Sequence, residues 1–318
     1  MAAVLEKTKP ERPERLRERD WNELLKQISK GRCTPFIGAE VCKGLYPTKP
    51  ERSQQWADEE DYPLEDRSEL ARVAQFLAVR DNEYTPTGRL IDEFESVQYP
   101  DFTNPNEPHR VLADLPLPIY ITTNYDDFMV KALTQRVMPR NPQREYCRWR
   151  KRMHDTADVL SGDVKPTAAN PVVLHLYGHT ENPASLVLTE NDYLKFLVNI
   201  SREQKRIPPL IQGAITGGSL LFLGYRLDEW DFRILFHTLA NYLESSLTRA
   251  HVSVQIIPVG EAATDEQIEK ATNYLNLYFE RLDTRVYWGS CHEFVEELRE
   301  RWVESDYAKQ GKQTTPTV

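Results

Sequence analysis

The sequence predicts an α/β fold built on a doubly wound parallel sheet, and three observations carry that reading. Short apolar runs rich in β-branched and aromatic residues alternate with stretches of helical periodicity, the order expected of strand–helix–strand units. One run, Leu220-Leu221-Phe222-Leu223, is apolar at every position, as suits a strand covered on both faces. The runs also end in glycine or hydrogen-bonding residues, at Gly38, Thr122, Gly178 and Gly224, the positions where open α/β sheets hold ligands.

In chain order, residues 5–20 are rich in Lys, Arg, Glu and Pro and read as a solvated arm, so 1–19 is expected to be flexible. Asp20 is placed to cap a first helix carrying Trp21, Leu24, Leu25 and Ile28 and ended by Gly31. Cys33–Ile37 reads as a strand, and the polar, Pro-containing stretch from Tyr46 to Arg67 as a mobile cover over its end. Helices follow at Ser68–Val79 and Thr87–Val97, with Ser68 and Thr87 as caps, and a short one at Pro108–Leu115. Ile119–Ile121 is a buried strand that opens into Thr122-Thr123-Asn124-Tyr125-Asp126 and a helix through Phe128, Val130 and Leu133. Arg136–Lys151 looks irregular and basic. Pro171–Tyr177 is a third strand, Leu186–Leu188 an extended piece and Glu190–Val198 a helix. Leu220–Gly224, Val252–Ile257 and Arg285–Trp288 complete the strands, with helices at Asp228–Leu247, Glu266–Phe279 and His292–Trp302. Residues 20–304 then form one domain with insertions at about 45–110 and 136–170, and 305–318 a disordered tail.

Composition narrows the function classes. The chain has 318 residues, 40% hydrophobic and 28% charged, which suits a globular protein with a sizeable core. A net charge of −9 argues against a general nucleic-acid or membrane-surface binder. The apolar runs are too short to span a bilayer, and Met1–Leu5 lacks a signal-peptide core. Cys33, Cys42, Cys147 and Cys291 form no Cys-x-x-Cys pair, so a reducing, cytoplasmic setting is the simplest expectation and no metal site is indicated. The interleaved Arg136–Arg152 segment, with Tyr146 and Trp149, reads as a solvated loop, an acidic-partner surface or part of a ligand pocket before a nucleic-acid contact, which would at most be indirect.

Each strand end admits two readings. Thr122–Asp126 is either a ligand crevice or a local turn in which the threonines cap the next helix. Gly38-Ala39 is either a phosphate-approaching turn or a buried tight turn, since the G-x-G-x-x-G spacing is missing. In Tyr177-Gly178-His179 the histidine is either a base or a solvent-bonded residue. Gly224-Tyr225 faces a ligand with its backbone or leads into a helix capped by Asp228.

Taken together and in order, Pro35–Ala39, Thr122–Asp126, His175–Tyr193 (HLYGHTENPASLVLTENDY) and Phe222–Phe232 (FLGYRLDEWDF) resemble the sirtuin (SIR2) superfamily. The likeness is greatest to its bacterial SIR2-like branch in antiphage defence, and it runs from about Trp21 to Trp302. The resemblance implies a Rossmann-like NAD-binding domain with a smaller inserted helical lobe. It puts Gly38 and Ala39 at the pyrophosphate, Thr123 and Asn124 at the nicotinamide ribose, and Asp126 in support of that loop. Gly224 and Tyr225 fall on the ribose and phosphate side, and Gly289 and Ser290 on the adenine side. Asn124 would help to cleave the N-glycosidic bond. Two departures stand out. Tyr177 occupies the place of the family's general-base histidine, which leaves His179 or His175 as substitutes, and Glu40 stands where a second glycine is usual. The four-cysteine zinc site of sirtuin deacylases is missing. The implied activity is NAD+ hydrolysis by a defence effector switched on by a partner sensor or by homo-oligomerisation. The alternative is an impaired module that binds NAD or ADP-ribose as scaffold or sensor.

Overall fold

A computed structural model of the chain describes residues 15–150, 153, 165–202, 208–226, 232, 251–255, 263–281 and 283–313. The helix expected at Asp228–Leu247 falls outside these residues except for Phe232, as do most of the N-terminal arm, Lys151, Arg152, Ile256, Ile257 and the last five residues.

Seven parallel strands form one sheet in the order β3-β4-β2-β1-β5-β6-β7. They are β1 (Cys33–Ile37), β2 (Ile119–Thr122), β3 (Gln143–Tyr146), β4 (Val172–His175), β5 (Ser219–Leu223), β6 (His251–Gln255) and β7 (Thr284–Trp288). The chain builds outward from β1 through β2 to β3 and β4, then crosses back to place β5 on the other side of β1. That reversal beside β1 is the topological switch point, where a crevice opens beyond the carboxyl ends of the strands.

Every residue of β1, β2, β4, β5 and β6 is buried, because helices cover both faces. Side-chain alternation sends Phe36, Ile121, Leu174 and Phe222 to one face, where they meet Trp56, Val73, Leu77 and Leu90. Ile37, Tyr120, Val173 and Leu223 go to the other face, against Trp21, Leu112 and Phe294. Trp21 there stacks on Phe294 with centroids 5.2 Å apart.

Several boundaries differ from the sequence reading. Helix α1 (Glu18–Ser29) starts behind Arg17, and Asp20 lies inside its first turn, paired with Arg17 at 3.1 Å. The stretch expected as a mobile cover holds helix α2 (Lys49–Glu59), entered through a Thr48/Glu51 capping box with Pro50 in its first turn. Its inner face is Arg52, Ser53, Trp56 and Ala57. Arg52 Nε reaches Glu93 Oε2 at 2.6 Å and Trp56 Nε1 donates to Oε1 of the same carboxylate, so this segment is packed. Glu69 and Tyr84, not Ser68 and Thr87, precede α3 (Leu70–Arg80) and α4 (Thr85–Glu95), with Pro86 setting the earlier start of the latter. The basic segment expected to be irregular contributes edge strand β3.

Short helices α5 (Pro108–Asp114) and α6 (Phe128–Thr134) flank β2. Beyond them lie α7 (Glu190–Arg202), α8 (Pro209–Gly217), α9 (Asp265–Glu280) and α10 (Cys291–Glu304). A final helix, α11 (Asp306–Gln313), stands where disorder was expected. Among the described residues, no helix is long and apolar enough to cross a membrane.

Candidate functional site

Strand register brings the expected loops to one place. Ile37, Thr122 and His175 stand level at the ends of β1, β2 and β4, and Leu223 ends β5 opposite Ile37. Gly38, Thr123, Leu176 and Gly224 therefore leave the sheet side by side.

The β1 and β5 loops touch backbone to backbone. Gly38 N donates to Leu223 O at 2.8 Å, and Glu40 N to Gly224 O at 3.0 Å. A Cβ on Gly38 would lie 2.5 Å from Gly224 O, and one on Gly224 2.7 Å from Gly38 O. Gly38 is extended, at φ −108° and ψ −177°, so only the close approach demands glycine there. Gly224, at φ +77°, needs it for conformation as well. Ala39 opens a 3₁₀ turn (Ala39–Cys42), and the Glu40 carboxylate turns toward Lys43, 4.0 Å away. The amides of Gly38 and Glu40 are thus engaged within the fold.

The β2 turn is fastened to both loops. Thr122 Oγ1 donates to Ile37 O at 3.2 Å and accepts from Asn124 N at 3.0 Å, while Thr123 Oγ1 donates to Tyr225 OH at 3.1 Å. The buried Asn124 amide donates to Gly38 O at 3.1 Å and to Cys42 Sγ at 3.3 Å. Neither threonine caps the next helix, because Asp126 Oδ1 accepts from Phe128 N at 2.9 Å and closes the local turn. Tyr225 stacks on Phe232 with centroids 4.7 Å apart.

Beneath the turn lies a buried polar group that the sequence reading missed. Asp126 Oδ2 accepts from Tyr46 OH at 2.8 Å and faces Cys42 Sγ at 3.6 Å. Cys42 Sγ lies 3.9 Å from His109 Nε2, and His109 Nδ1 is 2.7 Å from Glu107 Oε1. Burial, then Asp126, push the Cys42 thiol and the Tyr46 phenol well above their ordinary pKa values. Burial also acts to raise Glu107, but hydrogen bonds from His109 and backbone amides outweigh it and leave the carboxyl below its usual value.

At the β4 end the three candidate bases part. Gly178 turns at φ +87°, where a Cβ would sit 2.4 Å from Ser185 O. Tyr177 enters the aromatic layer, edge-on to Tyr193 and Phe196 with centroids 5.3 Å away in both cases. His175 and His179 come together instead, 4.8 Å between centroids, while Tyr177 packs apart from them. Glu181 N donates to His179 Nδ1 at 3.0 Å, which occupies the lone pair a base would use. The ring of the buried His175 lies against the Asn124 backbone. Burial, together with His179 and Arg144, holds the pKa of His175 well below the ordinary value. Burial and Arg144 likewise bring His179 down to about 4. Asp127, also unforeseen, lies 3.8 Å from His179 Nε2 and is ion-paired to Arg144.

Gly289 N donates to Gln255 O at 3.0 Å, and Ser290 caps α10 in a box with Glu293. Burial drives the next residue, Cys291, up to about 12, eased by a hydrogen bond from the Gly224 backbone, so this last loop adjoins the β5 loop. A separate groove of about 840 Å³ runs between α3, α4 and α7 past Val79, Tyr84, Trp149 and Lys195; Gly38, Asn124 and Gly224 do not line it.

Comparison with known proteins bears on this arrangement. Curated relatives carry the name NAD(+) hydrolase ThsA. The protein from Cytobacillus dafuensis is 26% identical over 225 residues, covering 67% of this chain and 39% of its own length. That from Acinetobacter baumannii (strain 532279) is 21% identical over 290 residues, 88% of this chain and 55% of its own. The Enterococcus faecium protein is 24% identical over 207 residues, 64% of this chain and 38% of its own. The chain thus spans about two fifths to just over half the length of these relatives. A solved structure described as "Structural Basis for the Mechanism and Regulation of Sir2 Enzymes" aligns over 93% of this chain and 100% of that one at 13% identity, with a TM-score of 0.36. A family model described as SIR2-like domain matches residues 118–279, from the strand that carries the Asn124 turn to the helix before the last strand. Since that match takes in just over half of the sequence, the chain belongs to the SIR2-like domain family.

Proposed function

We propose that this protein binds NAD+ beyond the carboxyl ends of β1, β2, β4 and β5 and hydrolyses the bond between nicotinamide and ribose. Nicotinamide leaves as a neutral base, water adds to the ribose carbon, and one proton is released with ADP-ribose. The observation that carries the reading is Asn124: an uncharged carboxamide at the switch point, held on Gly38 O at 3.1 Å beside the Thr123–Tyr225 contact. The transition state is an oxocarbenium-like cation, which fixed neutral dipoles can orient and nearby carboxylates can stabilise. Asn124 supplies such a dipole, Asp126 supports the loop that presents it, and Asp127 is the carboxylate on the β4 side.

His175 takes the proton-accepting role in this reading rather than His179 or Tyr177, because its ring lies against the Asn124 backbone and it stands level with Thr122. Gly38, Ala39, Gly224 and Tyr225 take the phosphate and ribose side in this reading, and Gly289 and Ser290 the adenine side. The relatives named as NAD(+) hydrolases support the same chemistry. By extension, the protein acts in antiphage defence by depleting cytoplasmic NAD, is switched on by assembly or a sensor partner, and is not a zinc-dependent deacylase. Residues 20–304 serve as its NAD-binding domain.

A second reading, a module that binds NAD or ADP-ribose without turnover, draws on Tyr177 being packed among aromatics and on the engaged His179 Nδ1. Chromatographic assay of nicotinamide release, with binding followed in parallel by calorimetry, separates the two. Release proportional to enzyme supports hydrolysis. Binding without release, alone or with candidate partners, supports the module.

A further inference from the structure

We propose that Cys42, His109 and Asp126 form a binding site for a zinc-like transition-metal ion that pins the Asn124 turn to its neighbours. The three residues come from the turn after β1, from α5 and from the loop after β2, and all are buried. Their ligand atoms lie within 4.8 Å of one another. Zinc bonds of about 2.3 Å to sulfur and about 2.0–2.2 Å to nitrogen or oxygen give tetrahedral edges of about 3.6 Å from the sulfur to each other ligand. The observed edges from Cys42 Sγ are 3.6 Å to Asp126 Oδ2 and 3.9 Å to His109 Nε2.

The surroundings match a metal centre. Glu107 Oε1 lies 2.7 Å from His109 Nδ1; by accepting that N–H, the carboxylate leaves the Nε2 lone pair facing Cys42. A carboxylate behind a histidine is the usual outer support of a zinc ligand. Charge points the same way: two buried carboxylates, Asp126 and Glu107, meet no Lys or Arg within ion-pair distance among the described residues. The Arg52 guanidinium, which lies over the Tyr46 ring 5.7 Å from its centroid, is committed to Glu93. Uptake of a dication releases the thiol proton to solvent and leaves one coordination position for water or for the Tyr46 hydroxyl, which stands 2.8 Å from Asp126 Oδ2.

His109 and Asp126 lie 67 and 84 positions beyond Cys42 in sequence, so no local metal-ligand spacing announces the group. This site is distinct from a four-cysteine cluster and does not depend on NAD cleavage.

The test uses the purified full chain, stripped with chelator and titrated with Co2+, whose thiolate charge-transfer and tetrahedral visible bands report the ligands directly. The expected result is one equivalent bound with both sets of bands, displaced by Zn2+, and a melting temperature that rises with metal. Cys42→Ser should abolish the charge-transfer band, and His109→Gln should weaken binding at least tenfold. Folded wild type that binds no Co2+ overturns the proposal. So does a charge-transfer band that survives Cys42→Ser, or binding without any thiolate band, which would point to Asp127, His175 and His179 instead.

Discussion

Gly38 and Gly224 set the distance between the β1 and β5 loops, so replacing each with alanine tests how the candidate site is held. In Gly38→Ala the backbone at φ −108° is open to any residue, and the cost is the overlap alone. The new Cβ would lie 2.5 Å from Gly224 O and 2.9 Å from Tyr225 Cδ1. Overpacking of this kind costs about 1–3 kcal/mol. Gly224→Ala meets a similar overlap, 2.7 Å to Gly38 O and 2.8 Å to Val41 N, at a φ of +77°. The left-handed backbone adds about 1–2 kcal/mol. Both variants regain about 0.4–1 kcal/mol from a less flexible unfolded chain, which cancels in the difference between them. Urea unfolding followed by far-ultraviolet circular dichroism should therefore place Gly38→Ala below wild type and Gly224→Ala lower still, by about 1–2 kcal/mol. The double variant should lose less than the sum, because one separation of the loops relieves both overlaps. If Gly38→Ala unfolds at the wild-type urea concentration, or the two variants coincide, the tight crossing is not what these glycines serve.

Three further outcomes follow from the same contacts. Asn124→Ala should stay folded and lose only about 1 kcal/mol, since Gly38 O still accepts from Val41 N at 3.3 Å, as thermal or urea unfolding would show. Glu93→Ala strips the partner from Arg52, which is 3% exposed, and should cost about 3–5 kcal/mol; a loss below 1 kcal/mol in urea would mean that Arg52 finds water. Acid should destabilise the fold through buried neutral histidines. His251 accepts Leu220 N at 3.0 Å, and burial lowers its pKa from 6.5 to about 4, as happens to His179. The unfolded chain binds these protons first, so their contribution is whole above pH 6.5 and is lost as pH falls toward 4, up to about 3 kcal/mol for each. His251→Asn should flatten its share of the slope, and stability that does not change between pH 7 and 5 contradicts the assignment.

How much could be read beforehand depended on the kind of signal. β1, β2 and β5 were legible because burial on both faces leaves their sequences almost wholly apolar. β3 was not, since Gln143-Arg144-Glu145-Tyr146 pairs on one side only and carries the polarity of an edge. α2 was hidden because its inner face includes the polar Ser53 and Arg52, and the burial of Arg52 rests on Glu93 in another helix. Gly38, Asn124 and Gly224 could be picked out one by one, but their contact follows from strand register. Tyr177 shared a period-two pattern with two histidines until the left-handed turn at Gly178 and the Tyr193 and Phe196 rings drew it away. The Cys42, His109 and Asp126 group has no sequence signature, because three separate elements supply it.

The most direct test of the central claim is the rate of nicotinamide release from NAD+ by wild type and by Asn124→Ala, both shown to be folded. Wild type should give stoichiometric nicotinamide and ADP-ribose, and the variant should be slower by at least about a hundredfold, in line with removal of one fixed transition-state dipole. Equal rates in the two proteins would contradict the assignment of the chemistry to the Asn124 turn.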